Sequence, residues 1–186
     1  MTTSVPPTSS AASVDLQQLK RYIRDVPDFP KPGILFRDIT PLLQNGPVLR
    51  AVIEALAARY EGRRIEAIVA IESRGLIFGA PLAYRLGVGL IPVRKAGKLP
   101  HKTIRATYTL EYGEGVLEAH EDGVSPGMRV VLVDDLLATG GTMGAVVKLM
   151  AHFRATIIEV AFLVELTALK GRASLQQQPI FSLVQY

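Results

Sequence analysis

Apolar residues at Val48, Leu49, Val52, Ile53, Leu56 and Tyr60 recur at helical spacing. They place one buried stripe on a helix over residues 48–60. The shorter apolar runs follow another rule. IEAIVAI at 65–71 and the runs at 88–93, 129–133 and 156–164 are short, almost continuous and rich in β-branched residues, so they read as strands. Helical patterns over 76–86 and 142–153 separate them, and a short helix over 15–22 precedes Pro27. Strands buried on both faces and alternating with helices predict an α/β fold, a mainly parallel sheet flanked by helices. There is no internal repeat, so 14–186 is expected as a single domain. DFPKPGILFRDITPLL, residues 28–43, holds three prolines and a glycine around an apolar centre. It is expected to be a structured loop, since proline fixes the chain and removes a donor.

The opening residues MTTSVPPTSSAAS, 1–13, are small, polar and proline-containing, and are expected as a flexible tail. No basic segment leads into an apolar core there, so the tail is not a secretory signal. Residues 75–93 are about long enough to span a bilayer, but Arg85, Pro81 and Pro92 interrupt them. A buried helix and then a buried strand fit better, with no membrane partner and a cytoplasmic address. The 186 residues are 48% apolar and 20% charged, a globular balance. The chain has no cysteine, which excludes disulfide and thiolate chemistry, and its three histidines, His101, His120 and His152, form no sequence cluster of the zinc-binding kind. The net charge of +4 does not argue for nucleic acid, because an anionic small ligand would draw the same excess.

Two segments carry candidate chemistry. Between Arg94 and Arg105 lie Arg94, Lys95, Lys98, Lys102 and Arg105, with His101 and no acid; Thr107–Tyr112 then alternates like a strand, and Glu111–Asp122 carries five acids. A basic loop feeding a hairpin points to a mobile cover over an anionic ligand, with a solvated surface hairpin as the competing reading. The second segment is VVLVDDLLATGGTMGA, 130–145, where two aspartates end an apolar strand and a Thr/Gly turn opens a helix. Adjacent buried carboxylates repel unless a cation or hydroxyl meets them. The glycines let backbone N–H groups converge, the helix N-terminus favours a phosphate, and Thr139 and Thr142 add hydroxyls. The loop lacks the lysine of a Walker A motif and the spacing of a dinucleotide fingerprint. A phosphate beside ribose hydroxyls fits it, and an acidic turn capping a helix is the competing reading.

VVLVDDLLATGGT closely resembles the phosphoribosyl-pyrophosphate (PRPP) motif of the type I phosphoribosyltransferases. With FPKPGILFRDITPLL, IESRGLIFGAPLAYRLGVGLIPVRKAGKLP, YTLEYG and VELTALKG, the chain resembles the adenine-using members of that family from about Leu16 to Tyr186. The resemblance implies the type I fold with a mobile hairpin over the site. It also implies transfer of the 5-phosphoribosyl group from PRPP to N9 of adenine, giving AMP and pyrophosphate, with Mg2+ held mainly through PRPP rather than by protein ligands, in a homodimer.

It further implies roles for particular residues. Ala138, Thr139, Gly140, Gly141 and Thr142 would cradle the 5-phosphate, and Asp134 and Asp135 would hold the ribose hydroxyls. Glu72, Ser73 and Arg74 would form the pyrophosphate loop, with a cis bond between the first two. Arg94, Lys95 and Lys98 would be pyrophosphate ligands, some reaching across the dimer. Leu35, Phe36 and Arg37 would form the adenine pocket, with Phe36 stacking on the base and Leu166 as the other wall. Glu111 and Tyr112 would close over the reactants, Glu111 near N7. MAHFRATIIEV and GVLEAHEDGV depart from the family's usual pattern, but neither touches a proposed ligand position. Two rivals stand beside this reading. A 6-oxo purine would want donors near O6, typically a lysine, where ILFR offers backbone groups and a ring. A non-catalytic PRPP-binding regulator would have no use for Arg74, the basic loop and Glu111.

Overall fold

The computed structural model describes residues 15–110, 113–175 and 177–186. The chain divides at Val52/Ile53 into two units. In the first, a 3-10 helix, Leu16–Tyr22, occupies the region expected as a short helix. Strand β1 (Arg24–Pro27) then pairs antiparallel with β2 (Leu35–Asp38), Arg24 opposite Asp38 and Pro27 opposite Leu35. Arg24 fixes this register by donating to Asp38 from Nη2 at 2.5 Å and Nε at 3.1 Å. Helix α1 (Thr40–Gln44) follows.

The segment 28–43 is therefore only partly a loop: it contains β2 and most of α1. Its prolines sit where the ring is tolerated. Pro30 and Pro32 lie in the turn between the strands, and Pro41 lies in the first turn of α1, where its missing N–H would have no helical partner. Asp28 (φ 56°) and Gly33 (φ 85°) are left-handed in the same turn, and the Gly33 N–H donates to Asp28 Oδ1 at 2.7 Å. Helix α2 spans Gly46–Tyr60, two residues longer than the apolar stripe indicates, because Asn45 Oδ1 accepts the Val48 N–H at 3.1 Å and opens it earlier.

The second unit is built on a seven-stranded sheet. Its strands are β3 (Ala67–Ile71), β4 (Gly89–Lys95), β5 (Thr103–Leu110), β6 (Gly113–His120), β7 (Arg129–Leu137), β8 (Thr156–Glu165) and β9 (Ile180–Gln185), in the order β5-β6-β4-β3-β7-β8-β9. The run from β4 to β9 is parallel; β5 and β6 form an antiparallel hairpin on its edge. Helix α3 (Arg74–Leu86) lies on one face, where Gly79 sits so close to Ala70 and Ile68 of β3 that any side chain would enter Ala70. On the other face α4 (Gly141–His152) buries Met143, Val146, Leu149 and Met150 in one cluster with Val69, Ile71, Val130, Leu132, Val160 and Phe162. Covering both faces is why every residue of β3 is buried and apolar.

Two expectations shift in detail. β7 does not stop at Val133: its ladder with β8 continues through Asp134↔Phe162 to Leu137↔Glu165, so the aspartates lie within the strand's last turns of pleat rather than beyond it. The basic segment 94–105 is loop only in its middle, since Arg94 and Lys95 end β4 and Thr103 starts β5. Among the described residues no helix is long and apolar enough to cross a membrane.

Candidate active site

Successive strands depart from β3 in opposite directions along the sheet, β4 to one side and β7 to the other. Ligands in open α/β sheets bind outside the carboxyl ends at such a switch. Three adjacent ends meet there. β3 delivers Glu72, Ser73 and Arg74, β4 delivers Arg94 and Lys95, and β7 delivers Asp134 and Asp135. The Glu72–Ser73 peptide bond is cis. A cavity of about 310 Å³ is lined by Glu72, Ser73, Arg74, Lys95, Lys98, Tyr108, Asp134, Asp135 and Thr142. A second, of about 210 Å³, shares Arg74, Asp134, Asp135 and Thr142 with it and adds Ala138, Thr139, Gly140 and Gly141.

The loop before α4 is shaped to receive an anion. Gly140 has φ 85°, and no side chain caps the helix, so its first N–H groups are left for a guest. A side chain at Gly140 would bring its first carbon within 2.5 Å of the Gly171 carbonyl oxygen and 2.9 Å of Ser174 Cβ, which leaves glycine as the residue that fits. Ser174 braces the same loop, its Oγ donating to the Thr139 carbonyl at 2.7 Å.

The charges are already paired. Arg74 Nε donates to Asp135, which is buried. The Asp135 N–H donates to Asp134 Oδ1 at 2.9 Å. Burial, and then the neighbouring Asp135 charge, push the Asp134 carboxyl well above the usual carboxylate range. Gly75 lets α3 approach the pair: a side chain there would lie 2.8 Å from the Val133 carbonyl oxygen and 2.9 Å from Asp134 Oδ1. Glu72 gathers the basic segment. It accepts from Arg94 Nε at 2.7 Å and the Lys95 N–H at 3.2 Å, and pairs with Lys98 Nζ at 3.2 Å. Burial acts to raise its carboxyl, but these bonds outweigh it and hold Glu72 below its ordinary value. Asp134 and Asp135 offer hard carboxylate oxygens of the kind magnesium accepts, and no group of three or more ligating side chains stands among the described residues.

Most of the residues expected from sequence thus meet around two contiguous cavities. Arg94 lines neither cavity and is bonded to Glu72, which lines the first. Leu35, Phe36 and Arg37 belong to the first unit, on β2: Leu35 is exposed, Phe36 packs edge-to-face on Phe29 with centroids 5.2 Å apart, and Arg37 pairs with Asp25. Leu166 is half-buried just after β8, its N–H donating to the Leu137 carbonyl at 2.9 Å. Glu111 and Tyr112 lie outside the described residues. Sequence reasoning missed Tyr108, Ser174, Gly171 and above all Glu118, an acid between Leu117 and Ala119 that is almost fully buried. An acid flanked by apolar residues in a strand, opposite Arg94 and Arg105, was the available signal.

The chain matches the family described as "Phosphoribosyl transferase domain" over residues 38–179. It is 61% identical to the adenine phosphoribosyltransferase of Roseiflexus sp. strain RS-1 over 168 residues, 90% of this chain and 98% of that protein. The crystal structure of adenine phosphoribosyltransferase from Thermoanaerobacter pseudethanolicus superposes with a TM-score of 0.89 at 52% identity, covering 92% of this chain and all of that one. The Saccharomyces cerevisiae enzyme, solved with an imino-altritol bisphosphate and adenine, gives 0.87 at 41% identity over 90% of this chain and 97% of that one. Fold and site define a phosphoribosyltransferase of the type I class. Within that class, the chain belongs to the adenine phosphoribosyltransferase family.

Proposed function

We propose that this chain transfers the 5-phosphoribosyl group of PRPP to N9 of adenine, releasing pyrophosphate and forming AMP in purine salvage. The observation that carries it is the meeting of an acidic pair, an uncapped helix N-terminus and a cluster of cations at one switch point of the sheet. Each part fits a different piece of PRPP. The loop Ala138–Thr142 takes the 5-phosphate on backbone N–H groups and the hydroxyls of Thr139 and Thr142. Asp134 and Asp135 accept the ribose hydroxyls. Arg74, Lys95 and Lys98 take the pyrophosphate, and Arg94 aligns with them through Glu72.

The C1–O bond to pyrophosphate breaks ahead of the new C1–N9 bond, so positive charge develops at C1. The chain's tasks are positioning and electrostatic stabilisation. The aspartates face that charge, and the cations receive the negative charge on the departing group. Mg2+, when bound, would be held mainly through PRPP itself, with Asp134 and Asp135 as the nearby carboxylates, and would supply charge neutralisation for the departing pyrophosphate. The proton affinity that burial and then Asp135 raise at Asp134 relieves the repulsion between the two carboxyls, a task that a cationic, hydroxylated guest can take over.

The family resemblance assigns recognition of adenine to the backbone groups at Leu35 and Arg37 and to the Phe36 ring, all on β2. Adenine loses one proton as N9 bonds to C1, and Glu111 accepts that proton at N7, while Tyr112 and the hairpin exclude water. The family resemblance and the adenine-bound yeast relative support the choice of base. The exposed Ile77 and Tyr84, seven residues apart on α3, support a homodimer that covers them. The proposed setting is the cytoplasm, with residues 14–186 acting as one domain; the tail expected over residues 1–13 lies outside the described residues.

Incubation of the purified chain with PRPP, Mg2+ and adenine should give AMP by product mass and pyrophosphate in equal amount. PRPP that persists, or that is hydrolysed to ribose 5-phosphate and pyrophosphate without AMP, overturns the proposal. Light scattering in the same buffer should give twice the chain mass.

A further inference from the structure

Glu118 has no part in the chemistry described above, yet it is among the most thoroughly bonded side chains of the second unit. It sits in the middle of β6, opposite Arg105 on one neighbouring strand and Arg94 on the other, with a relative exposure of 1%. Oε1 accepts three successive backbone N–H groups, from Gly97 at 2.9 Å, Lys98 at 3.2 Å and Leu99 at 3.2 Å. Oε2 accepts from Thr103 Oγ1 and Arg105 Nε, both at 3.2 Å. A buried carboxylate costs free energy unless its lone pairs are filled, and here five donors fill them.

What those donors belong to matters more than their number. Three are consecutive amides of the turn that carries Lys98, and such a turn has no ladder of its own to hold it. Glu118 replaces that ladder. The same turn is tied onward, because its Lys98 carbonyl accepts Arg94 Nη1 at 3.0 Å, while Arg94 Nε and Lys98 Nζ both reach Glu72. An unbroken run of bonds therefore joins Glu118 to the cations lining the cavity, although Glu118 does not line it.

Resting on the reading of this cavity as the PRPP site, we infer that Glu118 is a positioning residue for the leaving group: it folds the 97–99 turn so that Lys98 and Arg94 present their charges to pyrophosphate. Its two oxygens divide the work. Oε1 shapes the turn, and Oε2 ties the turn to β5 through Thr103 and Arg105. Glu118→Gln keeps an oxygen for the three amides and loses the bond to Arg105. Glu118→Ala loses all five.

The test is titration of the whole chain with magnesium pyrophosphate, alongside steady-state kinetics with PRPP and adenine varied separately. Glu118→Ala should weaken pyrophosphate binding roughly tenfold, as expected when a charge-assisted contact is mispositioned. The KM for PRPP should rise in parallel while the KM for adenine stays within twofold. Glu118→Gln, which preserves the turn's acceptor, should fall between it and the parent. In a double-mutant cycle, Lys98→Ala should cost pyrophosphate affinity in the parent and little in the Glu118→Ala background. Should Glu118→Ala fail to fold, the same cycle is run with Glu118→Gln, where the loss due to Lys98→Ala should again shrink. Folded variants that bind pyrophosphate like the parent, or that raise both KM values equally, or additive effects in the cycle, overturn the inference. A parent that binds pyrophosphate but forms no AMP refutes the proposed activity and leaves the role of Glu118 to be read from the titration alone.

Discussion

Arg74, the first residue of α3, donates to Asp135 of β7, so the cation proposed for the leaving group and an acid proposed for the ribose neutralise each other. Glu72 holds Arg94 and Lys98 in the same manner. Pairing offsets part of the cost of gathering such charges out of water. Arg74→Ala should weaken PRPP and pyrophosphate binding by roughly tenfold to a hundredfold, the scale of one charge-assisted hydrogen bond, without weakening adenine binding. Calorimetric titration of each ligand checks it.

Asp134 makes stability depend on pH in an unusual direction. Its carboxyl titrates well above the ordinary 3.8, because of burial and then of Asp135. Between those two values the folded chain holds a proton that the unfolded chain has lost, so this group's contribution falls as pH rises through the window. Glu72, Glu118 and Glu165 are shifted downward and act oppositely, losing stability as pH falls through their folded values. Asp134→Asn removes only the first contribution. The stability gain of Asp134→Asn over the parent in urea titrations should therefore grow from acid to neutral pH. A difference independent of pH would contradict this.

Gly140→Ala should be destabilising and should impair PRPP binding together. It places a side chain at φ 85° and against the Gly171 carbonyl, so the phosphate loop or the 171–175 turn has to move. The left-handed conformation alone costs about 1–2 kcal/mol. Thermal melting and PRPP titration of the variant check both effects.

The β7–loop–α4 segment was legible in the sequence because its pieces are local: an apolar run, two acids, a Thr/Gly turn and a helical stripe are all contiguous. The same holds for Arg74 after β3. What stayed hidden depends on pairing between distant segments. β2 was masked by prolines that turn out to occupy a turn and a helix start, and its partner β1 has the unpromising sequence RDVP. Asp134 and Asp135 seemed to end β7 because charge interrupts the apolar pattern, but β8 supplies ladder partners beyond them. Glu118 could be counted as an acid of the hairpin; its five donors come from a turn and a strand that only the fold brings to it.

Glu111→Gln and Thr139→Val should separate chemistry from binding. The first keeps side-chain length and removes the negative charge proposed to accept the purine proton, a loss of about 10²–10⁴-fold in rate for a positioned acid or base. PRPP affinity should hardly change. The second deletes the hydrogen bond proposed to the 5-phosphate before and during the reaction, so weaker PRPP binding should account for much of its effect. Direct PRPP titration with pre-steady-state turnover measures both. Glu111→Gln reacting at the parental chemical rate would remove the proton-accepting role.

The choice of base is the central claim, and competition tests it most directly. With PRPP, Mg2+ and equimolar adenine, hypoxanthine and guanine in one reaction, nucleotide products are quantified by mass at early times. The backbone groups proposed at Leu35 and Arg37 would suit the amino edge of adenine, and a 6-oxo base would leave polar groups unpaired in the complex, so AMP should exceed the other nucleotides by at least about tenfold. Equal formation of inosine monophosphate and AMP would contradict the account.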